Sequence, residues 1–137
     1  MDYDDIVWHK IRQVKGLKTI IGGAKPTKVA DRQIEEMKEK IAADVKENQV
    51  VLFMKGNKEF PQCGFSARVV QILNEQGANF VTRDVLADPV LRDAIKQFSD
   101  WPTLPQLYIK GEFIGGADIM TEMFQSGELQ TLIAAAQ

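Results

Sequence analysis

The chain has 137 residues, of which 45% are hydrophobic and 26% are charged, and these fractions are typical of one soluble globular domain. Its single cysteine excludes an intramolecular disulfide and, with it, a secreted disulfide scaffold. No apolar run approaches the length of a membrane span, so the sequence predicts no membrane protein.

Charge is distributed unevenly along the chain, although the formal net charge is only −2. From Lys10 to Lys28 there are six basic residues and no acidic one, whereas residues 29–137 carry 11 basic and 16 acidic side chains. An acidic body of this kind argues against binding to nucleic acid. The basic stretch could contact an acidic partner, but an exposed leader is the simpler interpretation.

Residues 1–30 show little sustained hydrophobic periodicity, because two glycines and a proline interrupt any helix there. We expect a flexible extension with one or two helical turns around Trp8–Val14. His9 is the only histidine and has no second histidine or cysteine near it, so it is a weak candidate for a metal site. The folded domain is predicted to span residues 31–137.

Helices alternate with strands in the first half of this domain. Asp31 is a candidate N-cap for the first helix, whose apolar residues recur every three or four positions until Asn48. Val50–Met54 is an apolar run bounded by turn residues, which indicates a buried strand. The helix that follows Cys63 leads to a second strand at Phe80–Val85.

The second half of the domain is predicted to contain a helix, a hairpin and two further helices. Asp88 and Pro89 are a typical N-cap and first helical residue for a helix through Phe98. The later features are predicted as strands at Leu104–Ile109 and Glu112–Ile114 around a Lys110-Gly111 turn, a helix capped by Asp118, and a last helix at Glu128–Ala136. A helical crossover makes the first two strands parallel, whereas the hairpin makes the last two antiparallel. We therefore predict an α/β protein with thioredoxin architecture, in which helices flank a four-stranded mixed sheet.

Cys63 is the strongest candidate for a functional residue. It lies between the end of a predicted strand and the first turn of a helix, where unpaired N–H groups and the helix dipole stabilise an anion. The sulfur should therefore be a more reactive nucleophile and a better metal ligand than an ordinary thiol. Pro61 and Gly64 place it in a loop, and Lys55 adds positive charge. A small buried hydrophobic residue is the alternative interpretation of a lone cysteine.

Four short motifs occur in order within residues 33–134. They are Phe53-Met54-Lys55-Gly56, Pro61-Gln62 followed by Cys63-Gly64-Phe65-Ser66, Trp101-Pro102-Thr103-Leu104-Pro105, and Gly115-Gly116-Ala117-Asp118. Together they resemble the monothiol glutaredoxins, a family whose site has the sequence Cys-Gly-Phe-Ser. The segment before Asp31 lies outside the resemblance.

The resemblance implies a groove that binds glutathione, which has two carboxylates, an ammonium group and a peptide backbone. Lys55 would bind the glycyl carboxylate, and Arg92 and Lys96, one helical turn apart, could reach the same group. A solvated helix face is the alternative interpretation of Arg92 and Lys96.

The resemblance also implies which residues bind the cysteinyl and γ-glutamyl parts of glutathione. Leu104, which precedes a proline expected to be cis as in the family, would pair its backbone with the cysteinyl part of glutathione. The N–H groups of Ala117 and Asp118 would bind the γ-glutamyl carboxylate, and the Asp118 side chain would bind the ammonium group. A simple N-cap is the alternative interpretation of Asp118.

The function that the resemblance implies is the carriage of an iron–sulfur cluster. A [2Fe–2S] cluster commonly takes four thiolates, and Cys63 from each of two chains with two bound glutathiones would supply them. The implied partners are glutathione, a second copy in a cluster-bridged homodimer, a BolA-type protein and apo iron–sulfur acceptor proteins. No nucleic acid or membrane partner is expected, and the implied location is a reducing intracellular compartment, either the cytoplasm or the mitochondrial matrix.

A glutathione-dependent oxidoreductase is the alternative function, in which the Cys63 thiolate removes glutathione from mixed disulfides. Ser66 in place of a second cysteine removes a dithiol route but leaves this monothiol route. Ala117 stands where many relatives carry cysteine or serine, so Cys63 has no partner for a disulfide within the chain. We therefore expect a weak enzymatic activity at most. A scaffold with an idle thiol is a third hypothesis, which the four motifs disfavour.

Overall fold

The structure is a computed structural model that describes the backbone of residues 28–137 and the side chains of residues 31–137. The predictions for Trp8–Val14 and His9 lie outside the described residues, as does nearly all of the predicted extension at residues 1–30. The described helices and strands are α1 (Lys28–Glu47), β1 (Val50–Met54), α2 (Gly64–Glu75), β2 (Val81–Asp84), α3 (Pro89–Ser99), β3 (Gln106–Ile109), β4 (Glu112–Gly115), α4 (Ala117–Ser126) and α5 (Glu128–Ala136). None of these helices is both long enough and apolar enough to span a membrane.

The four strands form one mixed sheet in the order β2-β1-β3-β4. Strands β1 and β2 are parallel, and β3 is antiparallel to both β1 and β4. The β3–β4 turn has positive φ at both central residues, Lys110 (52°) and Gly111 (80°), which is typical of a tight two-residue hairpin. The predicted mixed sheet and its hairpin are therefore confirmed.

Strand β1 is the centre of the core, because helices cover both faces of the sheet. Val50, Leu52 and Met54 pack in a cluster with apolar residues of α2, α4 and α5. Val51 and Phe53 point the other way and pack with residues of α1 and α3. A strand that is covered on both faces has no solvent side, so its sequence is apolar at every position rather than at alternate ones.

Two predicted helix caps are wrong. Helix α1 begins at Lys28, nearly one turn before Asp31, so Asp31 lies in the first turn instead of at the N-cap. Helix α4 has Gly116 as its N-cap, and Asp118 is its second residue. A carboxylate is favourable both at the N-cap and within the first turn, so residue type alone does not distinguish the two positions.

Other element ends are close to their predicted positions. Asp88 is the N-cap of α3, and its Oδ1 accepts hydrogen bonds from the N–H groups of Val90 and Leu91. Strand β3 begins at Gln106, two residues later than predicted, and the Leu104–Pro105 bond before it is cis, as expected.

Candidate active site

The candidate site lies at the edge of the sheet that runs across the strand ends, where β1, β2 and β4 end and β3 begins. Phe53, near the end of β1, lies opposite Gln106, the first residue of β3. The segment after β1, which holds Lys55, therefore meets the segment before β3, which holds Leu104. Both segments were predicted to line the site, and the register of the sheet brings them together.

The start of α4 adjoins the same edge. A Cβ atom built on Gly116 would lie 3.3 Å from the carbonyl oxygen of Pro105 and 3.7 Å from Nε1 of Trp101. Ala117 and Asp118 form the first turn of α4, and the side chain of Asp118 is exposed to solvent. Because the first N–H groups of a helix have no partner within it, this turn offers donors for an anion beside the segment before β3.

Cys63 is the N-cap of α2, in an extended backbone conformation (φ −151°, ψ 139°), and is partly exposed. Burial by itself raises the pKa of the thiol, but several groups stabilise the thiolate and together bring the pKa below its ordinary value. These groups are the backbone N–H of Ser66 and of Phe65, the positive charge of Lys55 and the hydroxyl of Ser66. The expected environment for a reactive thiol is therefore present.

Ser66 is a site residue that the sequence reasoning missed. It is completely buried, and its Oγ accepts a hydrogen bond of 3.2 Å from the backbone N–H of Lys55. Its hydroxyl in turn donates to the Cys63 sulfur and helps to lower the pKa of that thiol. The available signal was its position three residues after Cys63, from which a hydroxyl in the first turn can form a hydrogen bond with the N-cap residue.

The loop between Lys55 and Cys63 closes tightly on itself. Gly56 has a φ of +87°, and a Cβ atom there would lie 2.4 Å from the carbonyl oxygen of Phe60. The N–H of Gln62 donates to the carbonyl of Lys55 at 2.9 Å, so the two ends of the loop are joined directly. Only glycine fits this turn, because a side chain would meet the returning backbone.

Two contacts from outside the loop hold it against the sheet. The Nζ of Lys58 donates to the carbonyl oxygen of Phe80 at 2.8 Å and lies 4.8 Å from the centre of the Phe80 ring. Oδ1 of Asp84 accepts a hydrogen bond of 2.9 Å from the N–H of Gly56. The path from Lys55 to Cys63 is therefore held at several points.

Arg92 and Lys96 lie one turn apart on α3, as predicted. Arg92 is half-buried, whereas only 6% of Lys96 is exposed. The alternative interpretation of a solvated helix face is therefore wrong for Lys96. Burial of a lysine is costly unless its ammonium group is satisfied, so this part of α3 differs from an ordinary surface helix.

Gln106 organises the segment that precedes β3, and it was also missed. Its side chain is fully buried, and its Nε2 donates to the carbonyl oxygens of Trp101 and Thr103, both at 3.1 Å. Its Oε1 accepts from the hydroxyl of Tyr108 at 3.3 Å. A polar residue inside a predicted buried strand was the signal, since a buried amide must find partners.

Large apolar side chains are exposed around this edge. Phe60 and Phe65, which flank Cys63 in the chain, are 71% and 64% exposed. The other exposed large apolar side chains of the described residues are Leu86, Trp101 and Ile119, which lie in segments that adjoin the same edge. Exposed apolar patches of this kind mark surfaces that contact other molecules.

The fold and the site together define the class of this protein. The sheet is that of a thioredoxin-type protein, and the described residues hold one activated thiol at the start of a helix. Between Lys28 and Gln137, no group of three or more His, Cys, Asp or Glu residues is arranged to hold a metal ion. The protein is a thioredoxin-fold protein with a single thiol, which lies at the start of a helix.

Comparisons with known proteins identify the family within this class. The glutaredoxin family model matches residues 50–114. A monothiol glutaredoxin of Synechocystis, whose name is "Uncharacterized monothiol glutaredoxin ycf64-like", is 55% identical over 101 residues, which are 74% of this chain and 94% of that protein. The chain belongs to the monothiol glutaredoxins.

Solved structures agree with this assignment. The solution structure of reduced poplar apo GrxS14 is 51% identical, with a TM-score of 0.66 over 73% of this chain and 92% of that chain. A buckwheat glutaredoxin in complex with glutathione is 25% identical, with a TM-score of 0.70 over 81% of this chain and 96% of that chain. The predicted thioredoxin-like fold is confirmed.

Proposed function

We propose that this protein carries a [2Fe–2S] cluster that is bound by Cys63 and by glutathione. The observation that carries the proposal is the position of the thiol, which is the only one in the chain and whose thiolate is stabilised at the start of α2. A stabilised thiolate is the form that binds iron. Because each chain supplies one thiolate, a cluster with four thiolate ligands needs a second chain and two further thiols.

Glutathione is proposed as the source of those further thiols. The buckwheat glutaredoxin in the similar structure is bound to glutathione. In this chain Lys55, with Arg92 and Lys96, would bind the glycyl carboxylate, and the backbone of Leu104 would pair with the cysteinyl part. The N–H groups of Ala117 and Asp118 would bind the γ-glutamyl carboxylate, and the Asp118 carboxylate would bind the ammonium group.

The proposed holo form is a homodimer in which the cluster bridges two chains. The exposed Phe60 and Phe65 beside Cys63 support contact with another protein at this edge. Apo iron–sulfur proteins are the proposed acceptors of the cluster, and a BolA-type protein is a further proposed partner. Free thiolate and glutathione both require a reducing compartment, for which we propose the cytoplasm or the mitochondrial matrix.

Anaerobic reconstitution tests this proposal. The protein is mixed with ferrous iron, sulfide and glutathione, and its visible absorption and molar mass are measured. We expect a coloured dimer that forms only when glutathione is present, and no cluster in Cys63→Ser, since a serine hydroxyl stays protonated and binds iron poorly. A colourless monomer, or full absorption in Cys63→Ser, would refute the carrier function.

A second candidate function is supported by the lowered pKa of Cys63. The thiolate would attack the glutathione sulfur of a mixed disulfide, which releases the protein thiol and leaves Cys63 joined to glutathione. A second glutathione would then attack that adduct, yielding oxidised glutathione and regenerating the Cys63 thiolate. We propose only a slow reaction, because the loop beside Cys63 is held by the turn at Gly56 and by Lys58 and would have to adjust to admit this second glutathione.

A glutathione-mixed-disulfide reduction assay compares this activity with that of a dithiol glutaredoxin. We expect a rate that is lower by about two orders of magnitude or more, because the second exchange step depends on access to the sulfur. Comparable rates would favour the oxidoreductase over the carrier.

A further inference from the structure

Lys55 and Cys63 lie at the two ends of a loop that contains neither helix nor strand. Lys55 follows the last residue of β1, and Cys63 is the N-cap of α2. The distance between the lysine ammonium and the sulfur therefore depends on how the intervening residues are held. A ligand that needs both groups binds only when the loop has this conformation.

Asp84 makes the connection between this loop and the neighbouring strand. It is the last residue of β2 and lies in register with Met54, directly before Lys55. Its Oδ1 accepts two backbone hydrogen bonds, from Gly56 at 2.9 Å and from Leu86 at 2.8 Å. One carboxylate oxygen thus ties the first residue of the loop to the chain that leaves β2.

The bond from Gly56 to Asp84 is made at the point where the loop turns. Gly56 is buried and has the left-handed backbone conformation that sends the chain back toward Gln62. Without an acceptor, the buried N–H of Gly56 would be left unpaired, and the loop would open to hydrate it. Opening would release Lys55 from its place beside the Cys63 thiolate.

We propose that Asp84 is a positioning residue for glutathione, a role that rests on the proposed function. Asp84 acts through the loop and does not touch the ligand. When only a fraction of the molecules holds the binding conformation, the apparent Kd is the intrinsic Kd divided by that fraction. Loss of the Asp84 acceptor therefore raises the Kd for glutathione without removing any group that binds it.

The variants Asp84→Ala and Asp84→Asn separate hydrogen bonding from charge. Asparagine keeps a carbonyl oxygen that can accept both N–H bonds, whereas alanine removes the acceptor. Asn48→Ala is the matched control, because it removes two side-chain hydrogen bonds made by a residue that precedes β1, at the end of that strand away from the loop. The Kd for reduced glutathione is measured by NMR titration of the apo full-length protein, together with the melting temperature.

We expect Asp84→Ala to raise the Kd about tenfold, which corresponds to a binding-competent loop in about one molecule in ten. The Kd of Asp84→Asn should remain within about threefold of that of the unchanged protein. Asn48→Ala should have the same Kd as the unchanged protein, despite a lowered melting temperature. An unchanged Kd in Asp84→Ala would overturn the inference. Equal weakening in Asn48→Ala, or in Asp84→Asn, would overturn it as well.

Amide hydrogen exchange in the same samples separates this inference from the proposed function. Exchange at Gly56 and Leu86 should become at least about tenfold faster in Asp84→Ala and stay unchanged in Asn48→Ala. If the unchanged protein does not bind glutathione, the proposed function fails, and the exchange rates alone decide whether Asp84 holds the loop. Unchanged exchange at Gly56 in Asp84→Ala would show that it does not.

Discussion

At the scale of single residues, opposing electrostatic effects determine the state of Cys63. Partial burial disfavours the thiolate, but two backbone N–H groups, the Lys55 charge and the Ser66 hydroxyl together outweigh it and lower the pKa. The pKa of the Cys63 thiol is thus lower in the folded protein than in the unfolded chain. Ionisation of Cys63 therefore contributes stability that is fully present above the unfolded-state pKa and is lost as the pH falls through the folded-state pKa.

The pH dependence of alkylation tests the role of Ser66. Iodoacetamide reacts with the thiolate, so the midpoint of its rate against pH should lie below that of an unperturbed thiol. We expect Ser66→Ala to raise this midpoint, because one of the hydrogen bonds that stabilise the thiolate is lost. Ser126→Ala, at the end of α4, is the control and should leave it unchanged. A midpoint in Ser66→Ala equal to that of the unchanged protein would contradict the assignment.

Lys55→Ala should weaken glutathione binding much more than folding. A charge-assisted contact with a ligand carboxylate contributes about 1.5–3 kcal/mol, so the Kd should rise by roughly tenfold or more. The lysine follows a strand and is half-buried, so the melting temperature should change little. Glutathione is titrated into Lys55→Ala and into the control Lys46→Ala, a change at the far end of α1, and the two Kd values are compared. Equal affinities in the two variants would exclude a glutathione contact for Lys55.

At the scale of elements, one ion pair fastens the edge strand β2 to helix α1. Arg83 Nε lies 2.7 Å from Asp44 Oδ2, and a second guanidinium nitrogen donates to Asp44 Oδ1 at 2.8 Å. The hydrogen bond to Asp44 also raises the pKa of Arg83. This two-point geometry is more favourable than that of an ordinary surface pair, because the planar guanidinium matches the carboxylate. Strand β2 has only β1 as a neighbour in the sheet, so this contact gives it a further attachment, to helix α1.

Asp44→Ala should lower the free energy of unfolding by about 1–2 kcal/mol, since it breaks the two-point pair with Arg83 and the hydrogen bond from Asn48 Nδ2 to Asp44 Oδ1. Lys38→Ala is the control, because the Lys38–Glu35 pair joins neighbouring turns of α1 and should contribute less than about 0.5 kcal/mol. Urea unfolding at low and high salt measures the free energy of unfolding of both variants. If the two variants lose equal stability, the pair with Arg83 has no special role.

At the scale of the whole molecule, the domain is held by two apolar layers on either side of β1. Among the described side chains, the members of these two layers run from Ile34 to Ala136. The boundary of the domain at residue 31 and the flexibility of the preceding segment remain predictions. The start of α1 at Lys28 suggests where that boundary can be tested.

Deletion of residues 1–27 should leave the fold and glutathione binding intact. The deletion stops there because α1 begins at Lys28, and removal of its first turn would change the helix itself. Residues 1–27 carry an excess of basic charge and contain glycines and a proline, so we expect them to contribute little to the packing of the core. Thermal unfolding should show a change of less than about 3 °C. A large loss would mean that apolar residues of the leader pack on the domain.

Much of the element pattern was predictable because it depends on local chemistry. The buried run at Val50–Met54, the Asp88 cap and the Lys110-Gly111 turn are each specified by neighbouring residues, and the structure confirms them. The Cys-Gly-Phe-Ser motif at Cys63 likewise indicated the family, which the comparisons confirm. The two wrong caps, at Asp31 and Asp118, show the limit of residue type as a signal.

The sequence by itself determined the order of elements, the mixed sheet and the activated thiol, because periodicity and position at a helix start are properties of nearby residues. Only the tertiary structure decided that Asp84 reaches Gly56, that Lys96 is buried and that Gln106 orders the segment before β3. These contacts depend on the register of strands and on the packing of α3, which join residues far apart in the chain. Since hydrogen-bond geometry is satisfied only over about 3 Å, such partners are set by the folded arrangement and not by spacing in the sequence.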